Sequence, residues 1–316
     1  MHACRNFLPD GRWHFQHGPI DLVIQAEGDR SAVAAAHERA WQRFEGLLQE
    51  LVNELPGLRA PVGEATSLQG VVAQRMWQAC HPYRKGFITP MAAVAGAVAQ
   101  EILACFAQDG IARAWVNNGG DIALHLAPGQ SASVGVYADI ARLDAAQLRH
   151  GLLLDGQLRI DSTMPVRGVA TSGWRGRSQS LGIADSVTVL ARSAAEADAA
   201  ATVVANAVNV LDERITRMPA WLVRDDSDLG AIPVTVDVPP LPRAQVLRAL
   251  HQGLEKAQEL QSRGLIWCAL LACQGEFAAT RMPEAALAGL PARTEGPAGA
   301  EGAVSAVHEE VGSVFA

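Results

Sequence analysis

The chain has 316 residues, 49% of them apolar but only 5% aromatic, and a formal net charge of −7. This length allows one large domain or two small ones, with a core built mostly of Ala, Val and Leu. The acidic balance, without any run of Lys and Arg, argues against a general nucleic-acid binder, because a phosphate backbone needs a basic face.

Arg12 to Gln16 and Ile20 to Ala26 read as strands around a His-Gly-Pro turn. Ser31 to about Leu55 keeps a helical period through Val33, Ala36, Ala40, Phe44, Leu47 and Leu51. A second helix is predicted over Leu68 to Cys80, then a polar loop from His81 to Gly86. Met91 to about Ala107 is nearly uncharged and predicts a buried helix. Strands follow over Ala112–Val116, Ile122–Leu126 and Ala132–Tyr137. Leu152–Leu154 and Leu158–Ile160 flank Asp155-Gly156, a tight-hairpin signal. Arg167–Ala170 and Ser186–Ala191 complete this β-rich stretch. Ser193 and Glu196 form a capping box that starts a helix running to about Val210. Trp221–Arg224 and Ile232–Val236 read as short strands. Val246, Leu247, Leu250, Leu254, Ala257 and Leu260 then mark an amphipathic helix.

The expected class is α+β, with mixed sheets packed against helices, a C-terminal helix and a flexible tail. The expected division is a main domain over 1–240, an amphipathic helix and apolar segment over 241–273, and a disordered or loosely packed tail over 274–316. No apolar run reaches the roughly 20 residues of a membrane span, and no signal peptide is visible. The five cysteines include no CxxC pair, which suits reduced thiols in the cytoplasm. Self-association is left open.

Three stretches could carry chemistry. Asn117-Asn118-Gly119-Gly120-Asp121 lies between two strands. Its glycines let the backbone approach a ligand, and its amides could hold a phosphate or a flavin edge; taken alone, the motif is better read as a plain hairpin turn, because Asn-Gly is the favoured turn pair. Val169-Ala170-Thr171-Ser172-Gly173 puts small hydroxyls and a glycine at a strand end, which suits phosphate or ribose contacts and also ordinary turns. Asp198 and Thr202 lie four apart on the capped helix and share a face that Asn206 continues. On a helix otherwise rich in Ala and Val, Asp198 needs a partner: a magnesium ion with hard oxygen ligands is one, and a solvated stripe at the helix start is the other.

In this order the stretches resemble the ApbE superfamily, the FAD:protein FMN transferases, over roughly residues 10 to 230. The match includes Val116–Asp121, Gly168–Gly173, Ser186–Ala191 and Ala197–Thr202, and is most similar to an uncharacterised branch lacking the exported lipoprotein leader. The resemblance implies an ApbE-like, T-fold-like architecture. It implies an FAD pocket with Asn118, Gly119, Gly120, Asp121, Thr171, Ser172 and Gly173, and a Mg²⁺ site at Asp198 and Thr202 with a carbonyl from Ala92 or Ala93. The family's Ala-Lys-Gly triplet is replaced by Met91-Ala92-Ala93-Val94-Ala95-Gly96, without lysine. Its Ser-His pair and Asp-Pro-x-Thr-Gly loop give way to Arg177–Asp185, without histidine. Asp185 is the candidate substitute base, with His81 and His150 as others. The implied function is flavin nucleotide binding, with Mg²⁺-dependent FAD cleavage or FMN transfer. The alternatives are a non-catalytic binder and a protein acting on another heterocycle, such as a pterin.

Overall fold

The computed structural model describes residues 2–136, 156–176, 178–281 and 313–315. A nine-stranded antiparallel sheet runs through the molecule. Its strands are β1 (Cys4–Phe7), β2 (Trp13–His17), β3 (Ile20–Gly28), β4 (Ile111–Asn118), β5 (Asp121–Leu126), β8 (Gly168–Ser172), β9 (Ser186–Ala191), β12 (Cys268–Cys273) and β13 (Glu276–Ala279), in that spatial order. A three-stranded sheet is formed by β6 (Ser131–Val136), β7 (Gly156–Asp161) and β14 (Ser313–Phe315), with β14 parallel to β6. A small ribbon pairs β10 (Thr216–Pro219) with β11 (Pro233–Asp237).

The helices are α1 (Arg30–Asn53), α2 (Val71–Cys80), α3 (Val94–Leu103), α4 (Ala194–Ala207) and α5 (Arg243–Ser262). Side chains alternate across the large sheet and so divide the core. Val116, Ala123, Ala170 and Val189 face the helical layer. Trp115, Ile122, Leu124, Val169 and Leu190 face the other way and pack with Val134, Leu158 and Ile160 of the small sheet. The result is three layers: helices, large sheet, small sheet.

Several elements depart from the sequence reading. Met91–Ala107 is not one helix. A 3₁₀ turn at Pro90–Ala93 leads into α3, and a second at Ala104–Phe106 ends it. Trp221–Arg224 is not a strand, since Ala220–Val223 forms a single helical turn. Strand β1 was not anticipated: its residues are all exposed and lack the half-buried alternation that marks a strand. The apolar segment of 241–273 supplies β12, which pairs with β9 inside the sheet, and Glu276–Ala279 adds β13. Of the Asp155-Gly156 hairpin only β7 falls among the described residues; Leu152–Leu154 and most of the tail lie outside them. Among the described residues no helix is long and apolar enough to cross a membrane.

Candidate functional site

The site forms where a hairpin turn, a helix start and the face of a second helix meet. Gly119 and Gly120 make the turn between β4 and β5, with φ of 65° and 113°. These values belong to the left-handed region that glycine tolerates. The Gly120 amide donates to Asn117 Oδ1 at 2.8 Å, closing the turn. Asn118 faces inward, and its side-chain amide donates to the Ala95 carbonyl at 3.1 Å. The turn is thereby tied to the first residues of α3.

Those first residues carry amides with no carbonyl of their own helix to bond. Asp198, projecting from α4, supplies the acceptor: the Gly96 amide donates to Asp198 Oδ2 at 2.9 Å. The two helices touch at this point because residue 96 has no side chain. A Cβ there would lie 2.2 Å from the Ala194 carbonyl oxygen. Burial raises the Asp198 carboxyl to about 7, although the Gly96 and Ala95 amides pull the other way. Two amides do not replace the lost hydration.

Asp198 opens onto a cavity of about 250 Å³. Ala92, Thr202 and Asp121 line the same cavity. Of the two carbonyl candidates, Ala92 is on the wall and Ala93 is fully buried. Asp121 is nearly buried and accepts from the Thr171 amide at 3.2 Å. The Thr171 hydroxyl bonds that of Thr188 at 2.9 Å. Thr171 therefore stands one hydrogen bond behind the wall. Ser172 and Gly173 are not on it: Ser172 ends β8, and Gly173 packs against the Asp185 backbone, where a Cβ would come within 2.3 Å of the Asp185 carbonyl oxygen.

Asp185 also stands apart from the cavity. Its carboxylate pairs with Arg175 at 3.3 Å and accepts the Gln274 amide, which pins the β12–β13 turn. His81 packs against Trp77 with the rings tilted and their centroids 4.5 Å apart, and His150 lies outside the described residues. No histidine occurs among the described residues lining the cavity.

The sequence reading missed one wall. The segment Arg224–Leu229 closes the cavity and is held by polar contacts to the body. Arg59 pairs with Asp226 at 3.0 Å. The Ser227 hydroxyl donates to Gln179, and the Thr89 hydroxyl donates to Asp228. Asp228 and Asp198 together bear on the buried Cys80 thiol; burial first, then these charges, push it well above its ordinary value. The available signal was the acidic, serine-bearing run Asp225-Asp226-Ser227-Asp228 between two elements. Chemically the wall offers a carboxylate, a hydroxyl and a carbonyl as hard oxygen donors, a set that suits Mg²⁺ better than a soft metal. No group of three or more His, Cys, Asp or Glu forms a protein-only metal cluster among the described residues. A cation here would need oxygens from a ligand.

A family model described as AbpE bacteria matches residues 5–279, beyond both ends of the stretch that carries the motifs. The UPF0280 protein of Methanothrix thermoacetophila is 35% identical over 175 residues, covering 53% of this chain and 68% of the relative. The UPF0280 protein of Methanopyrus kandleri is 34% identical over 210 residues, covering 65% and 78%. The crystal structure of the flavinyl transferase ApbE of Pseudomonas stutzeri in its apo form is 12% identical, with a TM-score of 0.41 over 89% of this chain and 95% of that one. That likeness is too loose to argue from.

Proposed function

The chain belongs to the AbpE family of bacteria and is an ApbE-like protein, and on that premise we propose that it binds a flavin-type nucleotide together with Mg²⁺ in the Asp198 cavity. One observation carries this reading. Asp198, Thr202, Ala92 and Asp121, from three separate parts of the chain, line one small cavity, and the carboxyl there is raised to about 7. A carboxyl so poised exchanges its proton for a cation near neutral pH.

In this reading Asp198 Oδ2 stays with the Gly96 amide, and the other oxygen faces the cation with the Thr202 hydroxyl and the Ala92 carbonyl. The cation would neutralise the diphosphate of the ligand and polarise a phosphoryl oxygen. Asp121, oriented by the Thr171 amide, hydrogen-bonds a ribityl or ring donor. Asn118, Gly119 and Gly120 are not among the described residues lining the cavity; the turn supports the site through Asn118, whose side-chain amide holds the Ala95 carbonyl at the start of α3. Ser172 and Gly173 act on the site only through the backbone that holds Thr171. Turnover would be FMN transfer or FAD cleavage, with AMP leaving.

A second reading is favoured by the absence of histidine from the described cavity wall and by the engagement of Asp185 with Arg175 and Gln274. The accepting hydroxyl then has no adjacent base, and the protein binds the nucleotide without turning it over. Calorimetric titration of FAD with and without Mg²⁺ tests the binding both readings share. Binding should require Mg²⁺ and should weaken by at least about a hundredfold in Asp198→Asn, given that even outer-shell changes cost 10–100-fold. Equal binding by the two proteins refutes the cation site. AMP release from FAD then separates transfer from binding alone.

A further inference from the structure

A second cavity, of about 840 Å³, adjoins the first. Phe87, Ile88, Leu181, Val203 and Asn206 line both, so the two are chambers of one cleft. Their charges differ. The first holds four carboxylates and two guanidinium groups. The second holds Arg84, Lys85, Lys256 and Arg263 against the single carboxylate of Glu259.

These cations are brought together from both sides. Arg84 and Lys85 follow the 3₁₀ turn His81–Tyr83, while Lys256 lies on α5 and Arg263 at its C-terminal end. Arg263 donates to the Pro82 carbonyl at 3.4 Å, which ties the helix end to the loop. Arg84 donates to the His81 carbonyl at 3.2 Å and pairs with Glu64 at 3.0 Å. Glu259 is shared between Lys256 and Arg263, and their hydrogen bonds hold its carboxyl below the ordinary value. Tyr83 lines the chamber, and burial keeps its phenol protonated and so a donor. With Glu64 counted as well as Glu259, four cations meet two carboxylates, which leaves an excess of two positive charges for an anion to neutralise.

We infer that the second chamber is a subsite for an anionic group, phosphate or carboxylate, borne by a ligand whose other end reaches the Asp198 cavity. The placement of that other end rests on the nucleotide reading; the anion subsite does not. A cation at Asp198 already accounts for the diphosphate, so the second chamber calls for an anionic group beyond it. The ligand class is then a nucleotide-like cofactor with an additional acidic tail.

The test titrates inorganic pyrophosphate, and separately citrate, into the full chain in EDTA buffer without Mg²⁺. The proteins are wild type, Asp198→Asn and the double variant Lys85→Gln, Lys256→Gln. At least one anion should bind saturably, and at least about tenfold more weakly to the double variant. Asp198→Asn should bind as wild type does. Pyrophosphate binding alone identifies a phosphate subsite, and citrate binding alone a carboxylate subsite. Failure of both anions to bind, equal binding by the double variant, or loss in Asp198→Asn overturns the inference. Should the double variant melt at a lower temperature, the exposed Lys85→Gln decides in its place. Retained pyrophosphate binding with no Mg²⁺-dependent FAD binding would sink the nucleotide reading and leave the subsite standing.

Discussion

Asp198 links the electrostatics of the site to the stability of the chain. Its carboxyl sits at about 7 in the folded protein, against about 4 for an ordinary aspartate. Between these values the folded chain keeps a proton that the unfolded chain releases. The stability this contributes is fully present below about pH 4, is lost as pH rises to about 7, and is flat above that. The slope from this one group is at most about 1.4 kcal/mol per pH unit. Asp198→Asn keeps an oxygen for the Gly96 amide and buries no charge. In metal-free thermal melts from pH 4 to 8 the variant should lose this part of the slope, and it should exceed the wild type in stability at pH 8. Parallel profiles would show that the carboxyl titrates normally. The residue itself was legible: a lone carboxylate on an Ala- and Val-rich helix, four before a threonine. Its bond to Gly96 was not, because 102 residues separate them and only the packing of two helices brings them together.

At the scale of elements, the contact between α3 and α4 sets the site. The Cβ of Gly96→Ala would meet the Ala194 carbonyl oxygen at 2.2 Å and the Ala195 nitrogen at 3.0 Å. Backbone atoms cannot step aside as a side chain can, so the helices must separate. The expected cost is about 1–3 kcal/mol, the range for overpacking. Mg²⁺-dependent binding should fall with it, because the amide leaves Asp198. Gly46→Ala, on the exposed face of α1 with nothing within 4 Å of the added carbon, should instead stabilise by about 0.5–1 kcal/mol. Denaturant melts of the two variants give opposite signs if helix contact, and not glycine removal as such, is what matters. The capped helix was the element most legible in the sequence: Ser193 Oγ does accept the Glu196 amide, at 3.3 Å, and α4 begins at Ala194. The α3 region was less so. A run of Ala, Val and Gly has no polar mark for the point where a 3₁₀ turn becomes an α-helix, and the cap that marks it comes from another helix.

On the scale of the whole molecule, the elements after residue 240 extend the large sheet beyond β9. Strand β12 pairs over five residues with β9, from Cys268↔Leu190 to Ala272↔Ser186. Helix α5 buries Val246, Ala249, Leu250, Ala257 and Leu260 in the cluster that also holds Val187, Val189, Ala201 and Val204. Sequence alone separated this region from the main domain because Pro239, Pro240 and Pro242 look like a linker and the strand signal of Cys268–Cys273 is a short apolar run that fits a buried helix as well. Contacts of this kind join distant parts of the chain and leave no local periodicity. Truncation after residue 240 therefore removes the neighbour of an interior strand, β9, and uncovers the apolar face of α4, the helix that carries Asp198. A chain ending at 240 should lack a cooperative melt and near-ultraviolet dichroism, and it should aggregate through the bared β9 edge. A chain ending at 281 keeps β12 and β13 and should melt cooperatively, with Mg²⁺-dependent FAD binding intact. A cooperative, ligand-binding fragment ending at 240 would mean that α5 and β12 are appended to the fold and not part of it.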